Sequence, residues 1–307
     1  MALDALSKDE MLRAGAACKR QRVAAAAALV VTPRSPVGAE VSGVCLRDAL
    51  ENSDTSAALA ERLRAELDRH GLLIFRDQQS LRPLDHLSLA RCLGKVFELP
   101  PRFQHGRSPH RDILRISNTD DEGFKGVGTT GWHIDGSSYS TPFGYSLMHI
   151  VHSPKRGPTL FLPLHRLARH ICEQRPDWER LSMRSGSGDK TVVHPLLYAH
   201  PRTQRPAVCL GKTSGFFWDR GTTEERLTDA EETTSLLDDL NARVEECAAK
   251  ETYQHDWEAG DVVVLDNLAV AHLAAADTQE SPESVGLRVL HRVVVAGTQA
   301  LRGIVKA

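Results

Sequence analysis

The sequence predicts a mainly β protein with flanking helices (α+β), its strands arranged as a β-sandwich or jelly roll. Three observations carry this. Short apolar runs rich in Val, Leu and Ile open the chain at 39–46 and 71–77 and dominate its last third at 261–267, 269–274 and 287–297. Segments with helical spacing cluster early and in one insertion near 163–250, without the regular strand–helix alternation of a doubly wound sheet. The chain has 307 residues, 41% hydrophobic and 25% charged, enough for one large core.

The elements follow in order. Residues 1–34 read as an N-terminal extension, disordered or helical, ahead of a single domain over 35–307. Between the first two strands, 55–71 carries apolar residues at helical spacing and stops at Gly71; 82–94 repeats the pattern and stops at Gly94. Pro100 and Pro101 break the chain, so 99–110 is a polar loop before a short strand at 112–118. Strands at 143–151 and 159–164 flank a Pro- and Gly-containing turn. Helices are expected at 163–175 and 176–184, and the strand pair 191–200 and 205–211 is joined by a turn at 201–204. Thr228 and Glu231 form a capping box ahead of a long helix to about Lys250. The aromatics of 214–221 read as a local packing cluster in a turn-rich stretch, with Phe216 and Phe217 as secondary candidates for a pocket wall.

The formal net charge is −2, which gives no basic field for nucleic acid or an anionic membrane. No apolar run reaches the length of a membrane span. The six cysteines, Cys18, Cys45, Cys92, Cys172, Cys209 and Cys247, are scattered without a CxxC pair and read as reduced thiols of a cytoplasmic protein. Asp4, Asp9 and Glu10 argue against reading the start as an organellar transit peptide, although a basic patch precedes an alanine-rich run there. The partner expected is a small molecule, with self-association left open.

One short stretch carries the chemistry. In Trp132-His133-Ile134-Asp135, an extended backbone sends His133 and Asp135 to one face and Ile134 to the other. A third ligand would complete a two-histidine, one-carboxylate set of the kind that binds non-haem iron. The pattern is weak alone, and a second copy, His110-Arg111-Asp112, reads as a hydrogen-bonded pair with a cation between. His272 follows an apolar strand and a turn at Asp266-Asn267. Sixteen residues beyond it lies Arg288, four before Arg292. Arg288 shares a strand face with Leu290. A guanidinium there requires an anion, either a bound acid or an internal Asp or Glu. His149, His152 and His291 read as satisfied strand or loop histidines, and Trp132 as packing.

Taken together, Trp132–Asp135, Gly157–Phe161, Asp266-Asn267 to His272, and Arg288 to Arg292 stand in an order that resembles the taurine dioxygenase-like (clavaminate synthase-like) family of Fe(II)/2-oxoglutarate-dependent oxygenases. The resemblance extends over roughly 35–297. It implies a double-stranded β-helix (jelly roll) core with iron on His133, Asp135 and His272. It implies 2-oxoglutarate chelating that iron, its distal carboxylate between Arg288 and Thr159, and dioxygen as co-reactant. The products would be succinate, carbon dioxide and an oxidised substrate. Arg292 matches a position that in taurine dioxygenase helps hold the substrate's anionic group. The histidine that binds the sulfonate there falls on Leu99, which makes taurine an unlikely fit. His105 is a candidate substitute, and Gly136 to Tyr139 would frame the pocket. The expected substrate is a small, polar, anionic molecule other than taurine. Two other classes compete: a non-oxidative metal enzyme with zinc on a jelly roll, which would not need Arg288 and Thr159, and a 2-oxoglutarate-binding sensor, which would not need three metal ligands.

Overall fold

Runs such as Leu72–Phe75 and Val262–Asp266 are buried at every position, as strands covered on both faces must be. They lie at the centre of the largest sheet in the computed structural model, which describes residues 29–51, 53–186 and 191–304. Seventeen strands are described. They are β1 (Val30–Pro33), β2 (Ala39–Ser42), β3 (Leu72–Phe75), β4 (Leu114–Ser117), β5 (Tyr145–His152), β6 (Thr159–Pro163), β7 (Leu181–Ser185), β8 (Val192–Pro195), β9 (Leu197–Ala199), β10 (Pro206–Val208), β11 (Thr213–Trp218), β12 (Arg226–Leu227), β13 (Tyr253–His255), β14 (Val262–Asp266), β15 (Val270–Ala274), β16 (Val289–Val295) and β17 (Arg302–Gly303). The main helices are α1 (Ser53–His70), α2 (Pro83–Leu93), α3 (Leu164–Gln174) and α4 (Ala230–Glu251).

A seven-stranded sheet in the order β1-β2-β3-β14-β5-β16-β4 faces a three-stranded sheet, β13-β6-β15. Leu72, Ile74, Met148, Ile150, Val263 and Leu290 of the first meet Phe161 and Val270 of the second in the inter-sheet core. The outer face of the large sheet is covered by α1 and α2. Leu59, Leu63 and Leu67 of α1 form a stripe four residues apart that packs with Leu73, Leu147 and Val293. Each such leucine contributes about 1.5–3 kcal/mol by leaving water. The third core joins α3 and α4 to the remaining strands. This is a jelly roll with flanking helices, the fold class the sequence predicts.

Several expectations need correction. The boundary at residue 34 cuts off a strand, because Val30–Pro33 pairs antiparallel with β2; residues 1–28, with Cys18 and the acidic start, lie outside the described residues. The stretch 163–250 is not simply a helical insertion: the strand pair expected at 191–200 and 205–211 is present as β8–β10, and β7, β11 and β12 also lie between α3 and α4. Within it, 176–184 is a short 3-10 turn followed by β7, which pairs with both β8 and β11, so tertiary pairing overrides local periodicity. The 214–221 aromatics pack as expected, with Phe216 in the core at 1% exposed and so no pocket wall, but they belong largely to strand β11 rather than to a turn-rich stretch. The helix cap also shifts by one residue: the Asp229 carboxylate accepts from the Glu232 amide at 2.8 Å, while the Thr228 hydroxyl accepts from the Phe216 amide at 3.0 Å. Among the described residues no helix is long and apolar enough to cross a membrane.

Candidate active site

Two histidines far apart in sequence meet through their backbones. The His133 amide donates to the His272 carbonyl at 3.2 Å, and the His272 amide donates back to the His133 carbonyl at 3.0 Å. Residues paired this way across antiparallel chains present their side chains to the same face, and the two rings lie 4.3 Å apart, centre to centre. His272 is on β15. His133 is not in a strand, contrary to expectation; it makes a single bridge, and the chain turns at Asp135. The alternation survives nonetheless, because the Ile134 amide is bonded to the Leu210 carbonyl and its side chain is in the core. Ligand atoms of His133, Asp135 and His272 all lie within 4.8 Å of one another.

The backbone of Asp135 is fixed by Asn267, a residue read from the sequence only as part of a turn. The Asn267 amide oxygen accepts from the Asp135 amide at 2.7 Å. Its NH2 group donates to the carbonyls of Asp135 at 2.9 Å and Phe143 at 2.7 Å. A carboxamide that is fully buried beside an apolar strand needs such partners, and that was the signal available.

The three groups are in ligand-ready states. The His133 Nδ1–H donates to the Gly131 carbonyl at 2.8 Å, which leaves Nε2 free. Burial, then the neighbouring His133, lower the His272 pKa to about 3. Both His272 nitrogens are buried without a hydrogen-bond partner, a costly state that a metal ion would relieve at one of them. Burial pushes the Asp135 carboxyl upward, but Arg292, His272, His133 and the Ser146 hydroxyl together hold it at about 2. Arg292 donates to Asp135 Oδ1 at 2.8 Å, and Ser146 donates to Oδ2 at 3.1 Å. Two imidazoles and an ionised carboxylate on one side fit Fe(II).

Arg288, at the start of β16, is 3% exposed and forms no ion pair among the described residues. Its Nε has no acceptor. Burial alone lowers its pKa to about 10, so it stays charged. Thr159 is 3% exposed, and its hydroxyl oxygen accepts from the Trp257 indole at 3.0 Å, which leaves its proton to give. A buried cation and a hydroxyl with a proton to give fit a carboxylate.

The remaining candidates divide. Arg292 reaches the triad, through Asp135. Leu99 packs against the inter-sheet core. Gly136 has a φ of +79°, and a Cβ there would meet the Phe143 ring at 3.0 Å. Tyr139 lies 5.2 Å from the Phe97 ring. Both ring nitrogens of His105 are used locally, Nδ1 by the Arg107 amide and Nε2 at the Asp120 carbonyl, which leaves none for a ligand. In the second HxD copy, His110 Nδ1 accepts from the Asp112 amide, a local turn apart from the triad.

Residues 31–294 match the family model described as taurine catabolism dioxygenase TauD, TfdA family. Pentalenolactone F synthase of Streptomyces arenae is 27% identical over 282 residues, 80% of this chain and 88% of that protein. An alpha-ketoglutarate-dependent sulfate ester dioxygenase of Pseudomonas putida is 26% identical over 292 residues, 85% and 87% of the two chains. The crystal structure of a taurine dioxygenase from Burkholderia xenovorans shares the fold, with a TM-score of 0.69 at 24% identity over 91% of this chain and 95% of that one. With the family's motifs in order and a donor set that fits its metal and cosubstrate, the chain belongs to the TauD/TfdA family of Fe(II)- and 2-oxoglutarate-dependent dioxygenases.

Proposed function

We propose that the protein oxidises a small organic anion other than taurine, with His133, Asp135 and His272 holding the iron. Arg288 and Thr159 hold the distal carboxylate of 2-oxoglutarate, and Arg292 addresses the anionic group of the substrate. The observation that carries this reading is Arg288: a buried guanidinium without an acid is poised for an anion brought from outside. Iron and 2-oxoglutarate, once bound, supply the activation of dioxygen with release of succinate and carbon dioxide. The protein's part is positional. Asn267 holds the backbone of Asp135, Ser146 and Arg292 hold its two oxygens, and the Gly131 carbonyl sets the tautomer of His133.

With one NH1 bond given to Asp135, the guanidinium of Arg292 keeps further donors for a substrate acid. Leu99, apolar, offers none, so a sulfonate that needs a second partner is left undersolvated. Two relatives carry names that specify anionic substrates, the sulfate ester dioxygenase and an alpha-ketoglutarate-dependent 2,4-dichlorophenoxyacetate dioxygenase of Burkholderia sp. (strain RASC), which is 26% identical over 273 residues. A metal hydrolase would have no use for an uncompensated Arg288.

The test is anaerobic addition of Fe(II) and 2-oxoglutarate, watched by visible absorption. A weak metal-to-ligand charge-transfer band is expected, and His272→Ala is expected to abolish it. Binding of 2-oxoglutarate that is equally tight without metal overturns the assignment.

A further inference from the structure

A cavity of about 200 Å³ adjoins the turn that carries Asn267. It opens between Arg64 of α1, the end of α2 at Leu93-Gly94, the start of β5 and the chain beyond β16. Asp266 and Leu268, on either side of Asn267, stand in its wall, as does Gly144, whose carbonyl accepts from the Asn267 amide at 3.0 Å. None of His133, Asp135, His272, Thr159, Arg288 or Arg292 lines it. Pockets for drug-sized ligands run about 300–1,000 Å³, so this one suits a smaller occupant.

The polar groups of this wall do not balance. Tyr145 is 8% exposed and lines the cavity, yet its hydroxyl has no hydrogen-bond partner among the described residues. Buried phenols ordinarily find one. Burial pushes its pKa up to about 12, so it keeps its proton and stays a donor. Arg64 and Arg202 both lie within electrostatic reach of it. Arg64 forms no ion pair among the described residues; one nitrogen donates to the Cys92 carbonyl, and the rest of the guanidinium is unspent. Arg202 gives Nε and Nη2 to Asp68 at 2.8 and 2.7 Å and keeps Nη1. The two acids near the phenol, by contrast, are engaged. Asp68 holds Arg202. Asp266 accepts from the Leu268 amide at 3.0 Å and from His200 Nε2 at 3.2 Å, the His200 Nδ1 being taken by the amides of Arg202 and Thr203. Two guanidiniums offset these two acids, so the wall carries no excess negative charge, and its unspent side-chain groups are donors.

We propose that this cavity is a separate binding site for a small oxyanion, a carboxylate or a phosphate, held by Arg64, the Tyr145 hydroxyl and Nη1 of Arg202. An oxyanion brings two or more acceptor oxygens, which a guanidinium and a hydroxyl meet together through charge-assisted hydrogen bonds. An apolar occupant would leave those donors unmet. A cation would face two guanidiniums and find both acids already paired. The site uses no residue assigned above to iron, cosubstrate or substrate, so it stands independently of those assignments.

The experiment is equilibrium dialysis of the full-length protein against labelled succinate and, separately, labelled inorganic phosphate. A chelator is present so that no metal captures the anion. The parent protein carries Arg288→Met, which removes the other unpaired guanidinium, and uptake is expected to persist in it. Adding Arg64→Met is expected to weaken that uptake at least about tenfold, because a charge-assisted partner is lost. Adding Tyr145→Phe is expected to weaken it about three- to tenfold, because one neutral hydrogen bond is lost. Tyr145→Phe should also unfold at its parent's urea midpoint, since the hydroxyl has no protein partner; it is the safer probe should Arg64→Met misfold. Uptake of succinate alone assigns the site to carboxylates, and uptake of phosphate alone assigns it to phosphate. Uptake of neither anion up to about 10 mM, or uptake that either folded variant leaves unchanged, overturns the proposal.

Discussion

The two faces of β16 bury basic groups in opposite ways. On the inward face lie Arg288, without an acid, and Arg292, paired with Asp135. The outward face carries His291, which lies in register with His149 of β5; His149 in turn touches the ring of His86 from α2 at 5.9 Å. Burial lowers the His149 pKa to about 4 and, with Arg115 adding to it, that of His291 to about 3. His86 is fully buried, and burial drives its pKa well below the ordinary range. The outward bases settle into the core by shedding charge. A guanidinium does not shed its charge at neutral pH, so the inward face holds a cation that still needs an anion. On this strand, the bases that can become neutral pack in the core, and the one cation without an acid, Arg288, is the one poised for a ligand.

Replacing Arg288 gives the sharpest test of this contrast. Arg288→Met is expected to weaken 2-oxoglutarate binding at least about 100-fold, because a charge-assisted fork is lost. The same change should leave the ligand-free protein as stable or more stable, by about 1–3 kcal/mol, because an unpaired buried charge is gone. Urea unfolding and anaerobic titration measure the two. A large loss of stability would mean that Arg288 has an internal partner and the contrast is false.

Acid probes the other face. His149 and His291 have folded pKa values below the ordinary value near 6.5, so below that pH the unfolded chain binds more protons. Their contribution is complete above pH 6.5 and is lost as pH falls toward 4. Each is expected to remove about 1.4 kcal/mol of stability per pH unit within that window. Denaturation midpoints from pH 7.5 to 4.5 should fall more gently in His149→Leu; parallel slopes would show that His149 is not held neutral.

The smallest expected effect is at Thr159. Thr159→Val removes one neutral hydrogen bond and should raise the 2-oxoglutarate requirement about three- to tenfold. An effect as large as that of Arg288→Met would mean that the hydroxyl, not the guanidinium, dominates the clamp.

The sequence makes some of this legible and hides the rest, for identifiable reasons. Strands such as Val262–Asp266 declare themselves because every position is buried, and α1 because its leucines recur every four residues. Leu181–Ser185 does not, since its strand character comes from pairing with β8 and β11 rather than from its own pattern. At the site, His133, Asp135 and His272 could be picked out by residue type and order, and they do converge. The route of convergence was hidden: it is the reciprocal His133–His272 backbone pair and the Asn267 clamp, both between segments distant in sequence. The cavity beside Tyr145 was equally hidden, because only tertiary structure brings Arg64 and Arg202 to it.

The Asn267 clamp has a consequence for how the molecule assembles. It joins residues 132 positions apart, and the Arg292–Asp135 pair spans 157. No local segment can build the metal position, so the site is absent until the middle and the end of the chain have found each other. Contacts of such sequence separation are entropically slow to close. Iron seated there would act as a cross-link over a long loop, drawing its stabilisation from the native state alone. The same ion that serves chemistry would then also report that folding is complete.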